Sequence, residues 1–156
     1  KQKTPQDALE EFRESMYVIE EDSKDFSKSS FGFPSFGFKS SAYKAICLKK
    51  LDVALSNAFQ IEGVRAGDYT LVPIVGNPAV MREDIVKNDQ GKPETRYRGQ
   101  IDQWSCELNI RYNPDRIRVE EIVSILNEAG FSCGVGDWRP GTNGSYGMFH
   151  VESVEI

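Results

Sequence analysis

The chain has 156 residues, of which 39% are hydrophobic and 28% charged, so it is long enough and apolar enough to bury the core of one folded domain. This composition and the net charge of −5 exclude a disordered chain and a protein coated in basic residues. Apolar runs are short, so no segment is predicted to span a bilayer, and a cytoplasmic location is expected.

The residue types and their spacing do not favour a metal site or a cofactor site. The three cysteines, Cys47, Cys106 and Cys133, lie far apart, and His150 is the only histidine. Because no CxxC pair exists, the sequence predicts no metal site, and the thiols are expected to be reduced. The phosphate-binding pattern GxxxxGK[ST] is also absent, so no cofactor is predicted.

In chain order, the first thirty residues predict a helix, a short strand and an exposed loop. Thr4 and Pro5 suit the N-cap and the first position of a helix, which apolar residues at spacings of three and four extend over 5–16. Residues 17–19 then favour a brief strand. The polar residues 20–30 lack periodicity and read as a loop.

The middle of the chain predicts a second helix and several extended segments. After an irregular entry rich in glycine and phenylalanine at 31–38, the helix runs from Ser35 to about Leu48. A short helical piece at 51–58, an extended segment at 59–62 and a strand at 69–75 follow. Residues 80–98 are charged, with a turn at 89–91, and predict a protruding hairpin or a long loop.

The last third carries the clearest patterns. Strict alternation over 104–112 predicts a strand, and an apolar stripe over 118–129 predicts a helix that Gly130 ends as a left-handed C-cap. A final strand is expected at 146–151, with Phe149 and Val151 facing the core.

This order of elements predicts an α+β fold, in which an antiparallel sheet carries helices on one face. A leading strand would complete the ferredoxin-like βαββαβ pattern, and that strand is either 17–19 or a segment upstream of Lys1. A single domain over 1–156 is therefore expected, with a helix and loop at 1–30 and the ferredoxin-like core at 31–156.

A glycine-rich segment stands between the last helix and the last predicted strand. Six of the thirteen glycines lie between Gly130 and Gly147, together with Trp138 and Arg139. A flat aromatic ring, a guanidinium and free backbone amides can together hold a phosphate and stack a base. The alternative is a structural connection with Trp138 folded back onto the core.

Two segments carry a family resemblance. Residues 32–42 (GFPSFGFKSSA) resemble the helix start of the RAMP superfamily, the RNA-binding subunits of CRISPR effector complexes. Residues 134–149 resemble the C-terminal glycine-rich loop of that superfamily. Their pattern GxGxWRPxxxGxYGxF is also similar to a recurring pattern in phage and mobile-element proteins of the same build, and that similarity covers 32–151.

The resemblance implies a ferredoxin-like core that binds RNA or single-stranded DNA along its backbone, with several copies side by side. Lys39 and Lys44 would then touch phosphates from the helix. The charged segment 82–98 is expected either to contribute to nucleic-acid binding or to be a solvated hairpin with no such role. The full set of expected nucleic-acid-binding residues is Lys39, Lys44, Arg82, Arg96, Arg98, Gly134, Gly136, Trp138, Arg139 and Gly147.

Catalysis is not expected, because His150 lies out of phase with the predicted core residues and no other spacing favours acid–base chemistry. A second hypothesis is an anti-defence protein, which binds a host immune or CRISPR complex or a small nucleotide signal. Net acidity is compatible with mimicry of nucleic acid.

Overall fold

The computed structural model describes residues 2–156 and has an α+β architecture. The chain forms two compact units, each built from two segments of sequence. The first unit contains the described residues up to Phe33 together with Val64–Glu107, and the second contains Pro34–Gly63 together with Leu108–Ile156.

Residues 2–156 form three α-helices and eight strands. The helices are α1 (Pro5–Glu14), α2 (Ser35–Leu48) and α3 (Val119–Glu128). The strands are β1 (Tyr17–Glu20), β2 (Ser30–Pro34), β3 (Phe59–Glu62), β4 (Val64–Ala66), β5 (Tyr69–Ile74), β6 (Val80–Lys87), β7 (Pro93–Gln100) and β8 (Asn109–Tyr112). Short 3₁₀ turns lie at Phe26–Lys28, Val53–Ala58 and Pro140–Thr142, and a π-helical turn at Ala129–Cys133.

The start of α1 confirms the predicted cap. The Thr4 hydroxyl accepts a hydrogen bond from the Asp7 N–H at 3.1 Å, and the Asp7 carboxylate accepts one from the Thr4 N–H at 3.0 Å. These reciprocal bonds satisfy two amides that a helix start leaves without partners. The strand β1 that follows confirms the brief strand predicted at 17–19.

The first unit contains an antiparallel sheet in the order β1-β2-β5-β4. Strand β2 corrects the sequence prediction, because 31–38 was expected to be an irregular helix entry. Residues 30–32 pair with β1, and Gly32 permits a close neighbour: an added Cβ would lie 2.9 Å from the Cβ of Leu71. The chain then passes directly from Pro34 into α2.

Strands β6 and β7 form an antiparallel hairpin, which decides between the hairpin and the long loop predicted at 80–98. The turn is closed by a 2.9 Å hydrogen bond from the Asn88 N–H to the Lys92 carbonyl. Gly91 has a φ of +77°, a backbone conformation that favours glycine in a turn.

The second unit has its core between α2, α3 and the pair β3–β8. Phe59 lies opposite Tyr112 in that pair. The buried residues of this core are Ala42, Ala45, Ile46, Ala58, Phe59, Ile117, Ile122, Ile125, Leu126 and Ala129. The predicted helices at 35–48 and 118–129 are both confirmed, since each contributes its apolar stripe to this core.

Of the two strands predicted in the last third of the chain, the first is shorter than predicted and the second is absent from the described residues. Only Asn109–Tyr112 of the alternating segment 104–112 forms a strand, although Ser105 makes an isolated bridge to Val75. Residues 146–151 are not a strand, because Phe149 donates its N–H to the carbonyl of Gly130 and Val151 donates its N–H to the Asn127 side chain. Phe149 and Val151 nevertheless pack against the core as expected.

Gly130 is not a left-handed C-cap. The helical path continues into the π-helical turn Ala129–Cys133, and positive φ appears at Gly134 instead (+66°). Gly130 is required for a different reason: an added Cβ would overlap the carbonyl oxygen of Phe149. Among the described residues, no helix combines the length and apolar character needed to cross a membrane.

Candidate nucleic-acid interface

The glycine-rich loop, defined here as residues 134–147, begins where the π-helical turn ends. The Gly134 N–H donates to the Ala129 carbonyl at 2.8 Å and closes that turn. Gly134 itself is buried, and an added Cβ would lie 2.7 Å from the Cδ of Pro140. The first glycine of the loop is therefore required by the fold of the loop itself.

Two later glycines also serve close backbone packing inside the loop. A Cβ on Gly144 would overlap the carbonyl oxygen of Trp138, and a Cβ on Gly147 would overlap that of Val135. Gly147 also has a φ of +69°. These positions exclude larger residues because the loop folds against itself, so the glycine density does not by itself indicate a ligand.

Several backbone amides of the loop are used internally. The Val135 N–H donates to Gly147 at 3.0 Å, the Tyr146 N–H to Trp138 at 2.8 Å, and the Gly144 N–H to Arg139 at 3.0 Å. An anion-binding nest needs successive N–H groups that point outward. Recognition by this loop must therefore rest on its side chains more than on these amides.

Two aromatic side chains stand out on the loop. Trp138 is 45% exposed and Tyr146 is 50% exposed, and the backbone bond between them holds the two residues side by side. Trp138 has a φ of +57°, a left-handed conformation that costs a residue with a side chain about 1–2 kcal/mol. Strained backbone of this kind clusters at binding and active sites, so it motivates a functional hypothesis for Trp138.

Two of the predicted phosphate-binding residues, Lys44 and Arg139, act electrostatically on the same thiol, that of Cys133. Burial raises the pKa of the Cys133 thiol, whereas the positive charge of Lys44 lowers it, Glu128 raises it and Arg139 lowers it. Lys44 on α2 and Arg139 on the loop are thus both close enough to act on one thiol. Lys44 is exposed, and Arg139 is half-buried with its Nη1 donating to the Gly136 carbonyl at 3.3 Å.

Lys39 does not join this group. Its ammonium donates hydrogen bonds to the carbonyls of Ser56 and Phe59 and lies 3.9 Å from the centre of the Phe59 ring. Burial lowers the pKa of Lys39, since the charged form is less well solvated there than in water. This side chain therefore links α2 to the 3₁₀ turn that contains Ser56 and to Phe59 at the start of β3, and it is engaged within the unit.

The three arginines of the hairpin lie in the first unit and have carboxylate partners. Arg82 contacts Asp84 at 2.9 Å and Arg98 contacts the same carboxylate at 3.5 Å. Arg96 contacts Glu94 at 3.1 Å. Their charges are partly neutralised, and they are not brought together with Lys44 and Arg139 within one compact unit.

Sequence reasoning missed an apolar area near the loop. Phe131 is 71% exposed and Met148 is 39% exposed, and both line an open groove with Phe149 and His150. The position of Phe131 directly after Gly130, at the end of the apolar stripe of α3, was the available signal. Because the helix was expected to end there, this residue was assigned to a connection.

Side chains of the types that hold metal ions or act as thiol nucleophiles occur in the described part of the chain. No group of three or more His, Cys, Asp or Glu side chains among residues 2–156 could hold a metal ion. Burial raises the pKa of the Cys106 thiol to about 11, which leaves little reactive thiolate at neutral pH.

Comparisons of the chain with protein-family models, with curated proteins and with solved structures gave no match. The similarity to RNA-binding subunits and to phage proteins therefore stays a prediction from the sequence.

Proposed function

We propose that the protein binds single-stranded nucleic acid, RNA or DNA, without catalysing a reaction. Trp138 and Tyr146 stack on successive bases, while Lys44 and Arg139 contact the phosphates. The observation that carries this proposal is the pair of half-exposed aromatic residues on the glycine-rich loop. It is joined by the positive charges of Arg139 on the same loop and Lys44 on α2, which both act on the thiol of Cys133 directly before the loop.

Physical chemistry supports this pairing of groups. Stacking of a base on an aromatic side chain contributes about 1–3 kcal/mol and tolerates any base sequence, because every base has a flat face. The carboxylates of Glu128 and Asp137 limit the positive potential here. Binding is therefore expected to depend more on stacking than on charge, unlike that of strongly basic proteins.

The proposal includes the finer points of the family resemblance. The second unit has the order helix, strand, strand, helix, followed by a segment whose Phe149 and Val151 pack on the same core. This order supports the αββα part of a ferredoxin-like arrangement, without a leading strand or a regular last strand among the described residues of the unit. A phage or mobile-element origin and a cytoplasmic site of action belong to the same proposal.

Salt-dependent binding to labelled oligonucleotides tests the proposed function. Fluorescence anisotropy with oligo(dT) and oligo(U) should show binding that weakens as salt rises. Two phosphate contacts predict a slope of about −1.4 in a plot of log K against log salt for a single strand. Absence of binding to both strands at about 50 mM salt would reject the proposal.

A protein partner is the second candidate, and the exposed Phe131 and Met148 favour it. Exposed apolar side chains grouped in one groove are typical of protein interaction sites. In this case the protein acts against host defence by covering a surface of an immune or CRISPR complex. Co-sedimentation with such a complex that survives nuclease treatment, together with no oligonucleotide binding, would favour this candidate.

A further inference from the structure

The hairpin of the first unit has one covered edge. On β7, the Gly99 N–H donates to the Ser15 hydroxyl at 2.8 Å, and the Thr95 carbonyl accepts from the Lys3 ammonium at 2.6 Å. The residues around α1 therefore satisfy the outer backbone groups of β7. These two bonds also show that Gly99 and Thr95 direct their backbone polar groups away from β6.

The direction of these groups determines which residues of β6 point their backbone N–H and C=O groups away from β7. In an antiparallel pair, two opposite residues either exchange both hydrogen bonds or both point away from each other. Met81 lies opposite Gly99 and Ile85 lies opposite Thr95. Met81 and Ile85 therefore direct their N–H and C=O groups away from β7, and by alternation Glu83 and Lys87 do the same.

The outer edge of β6 is thus a row of backbone donors and acceptors with no neighbouring strand. The β6–β7 sheet has two strands in the described part of the chain. The side chains on this row are exposed, and Ile85 is 72% accessible. A long edge of this kind is a template for pairing with another strand unless charges or proline block it.

We propose that β6 pairs with β6 of a second copy, in an antiparallel register centred on Ile85. Ile85 then lies opposite Ile85 of the other copy, and Glu83 lies opposite Lys87 of the other copy on each side. All of these residues direct their backbone groups outward, so every such pair exchanges both hydrogen bonds.

The sequence of β6 favours a second copy as the occupant. Glu83 and Lys87 form no ion pair within the described residues, and the two-fold register supplies each with an opposite charge. Moving the axis two residues toward the start of the strand would place Glu83 opposite its own copy. Like charges directly opposite destabilise a pair, whereas opposite charges and apolar pairs stabilise it.

On the face of the hairpin opposite to Glu83 and Lys87, the carboxylate and guanidinium groups already form ion pairs with one another. Asp84 forms an ion pair with Arg82 along β6 and another with Arg98 across the hairpin. These three residues do not compete for Glu83 or Lys87, which belong to the opposite face by the alternation of side chains along a strand. The interface is small, so the dimer is expected to dissociate on dilution.

Sedimentation velocity of the whole chain over a range of concentrations tests this pairing without any nucleic acid. The parent protein should shift from monomer to dimer as concentration rises. Glu83→Lys and Lys87→Glu should each weaken dimerisation about tenfold, because each replaces two attractive pairs by two repulsive ones. The double variant Glu83→Lys with Lys87→Glu should restore it.

A backbone variant separates dimerisation from folding. Ile85→Pro removes an N–H that points to the open edge and no hydrogen bond to β7, so the hairpin should persist while the dimer is lost. Circular dichroism and thermal melting check that the variant is folded. A parent protein that stays monomeric at every concentration, or a double variant that fails to restore the dimer, would overturn the pairing.

A dimer that none of these variants weakens would place the interface elsewhere and would also overturn it. Because the measurement contains no oligonucleotide, its failure is independent of the proposed nucleic-acid function.

Discussion

The backbone N–H of Tyr146 donates a 2.8 Å hydrogen bond to the carbonyl of Trp138, and both side chains remain about half exposed. A backbone hydrogen bond of the loop therefore holds together two residues whose aromatic rings lie at the surface. A loop that served only to connect a helix to the next segment would gain more stability from burying these rings.

Trp138→Ala and Tyr146→Ala should each weaken binding of oligo(dT) or oligo(U). Loss of one stacked base costs about 1–3 kcal/mol, which is a decrease in affinity of roughly five- to 150-fold. Fluorescence anisotropy measures the effect. Tyr69→Ala is the matched control, since Tyr69 is also 45% exposed but belongs to the first unit. Equal affinity of the parent and both loop variants would exclude stacking on this pair.

Arg139→Ala and Lys44→Ala should each reduce the salt dependence of that binding. Removal of one phosphate contact changes the slope of log K against log salt by about 0.7 for a single strand. Repeating the titration at several salt concentrations gives the slope for each variant. If neither variant changes it, these two side chains do not touch phosphates.

Lys39→Met should destabilise the protein and leave the salt slope unchanged. The substitution leaves the Ser56 and Phe59 carbonyls without their donor, which costs about 1–3 kcal/mol of unfolding free energy. Urea denaturation followed by circular dichroism measures the loss. Lys44→Met is the control, because that exposed side chain should change stability by less than about 0.5 kcal/mol.

The contrast between Lys39 and Lys44 shows what periodicity can and cannot predict. Both lysines lie off the apolar stripe of α2, so periodicity predicts that both face solvent, and the family resemblance implied phosphate contacts for both. Only tertiary structure reveals that Ser56 and Phe59 place two carbonyls and an aromatic ring within reach of Lys39. The helices themselves were predictable because their patterns are local.

The division into two units, each built from two segments of sequence, could not be predicted from local patterns for the same reason. Pro34 ends β2 and is followed directly by α2, yet the chain passes from the first unit to the second at this residue. No shift in composition marks this boundary. The final segment was misassigned because its Phe149 alternates like a strand residue but bonds to Gly130 in a helical turn.

Gly144→Ala should distort the glycine-rich loop. The added methyl group would overlap the Trp138 carbonyl oxygen, and overpacking against backbone costs about 1–3 kcal/mol. Thermal melting measures the loss of stability, and Trp fluorescence reports the displacement of Trp138. Gly141→Ala is the control in the same loop, since its nearest neighbour is 3.2 Å away. Similar effects of the two substitutions would contradict the close approach at Gly144.

Leu126→Ala should lower the unfolding free energy by about 2–5 kcal/mol, because a buried leucine leaves a cavity when it is truncated. Leu126 is 4% exposed and packs in the core shared by α2 and α3. Leu48→Ala, at a position that is 59% exposed at the end of α2, removes the same atoms with little change in burial and should cost less than about 0.5 kcal/mol. Chemical denaturation of the two variants side by side gives the difference. A Leu126 variant as stable as the parent would contradict the packing of α3 against α2. The proposed interface depends on that packing, because α2 carries Lys44 and α3 leads to the start of the glycine-rich loop.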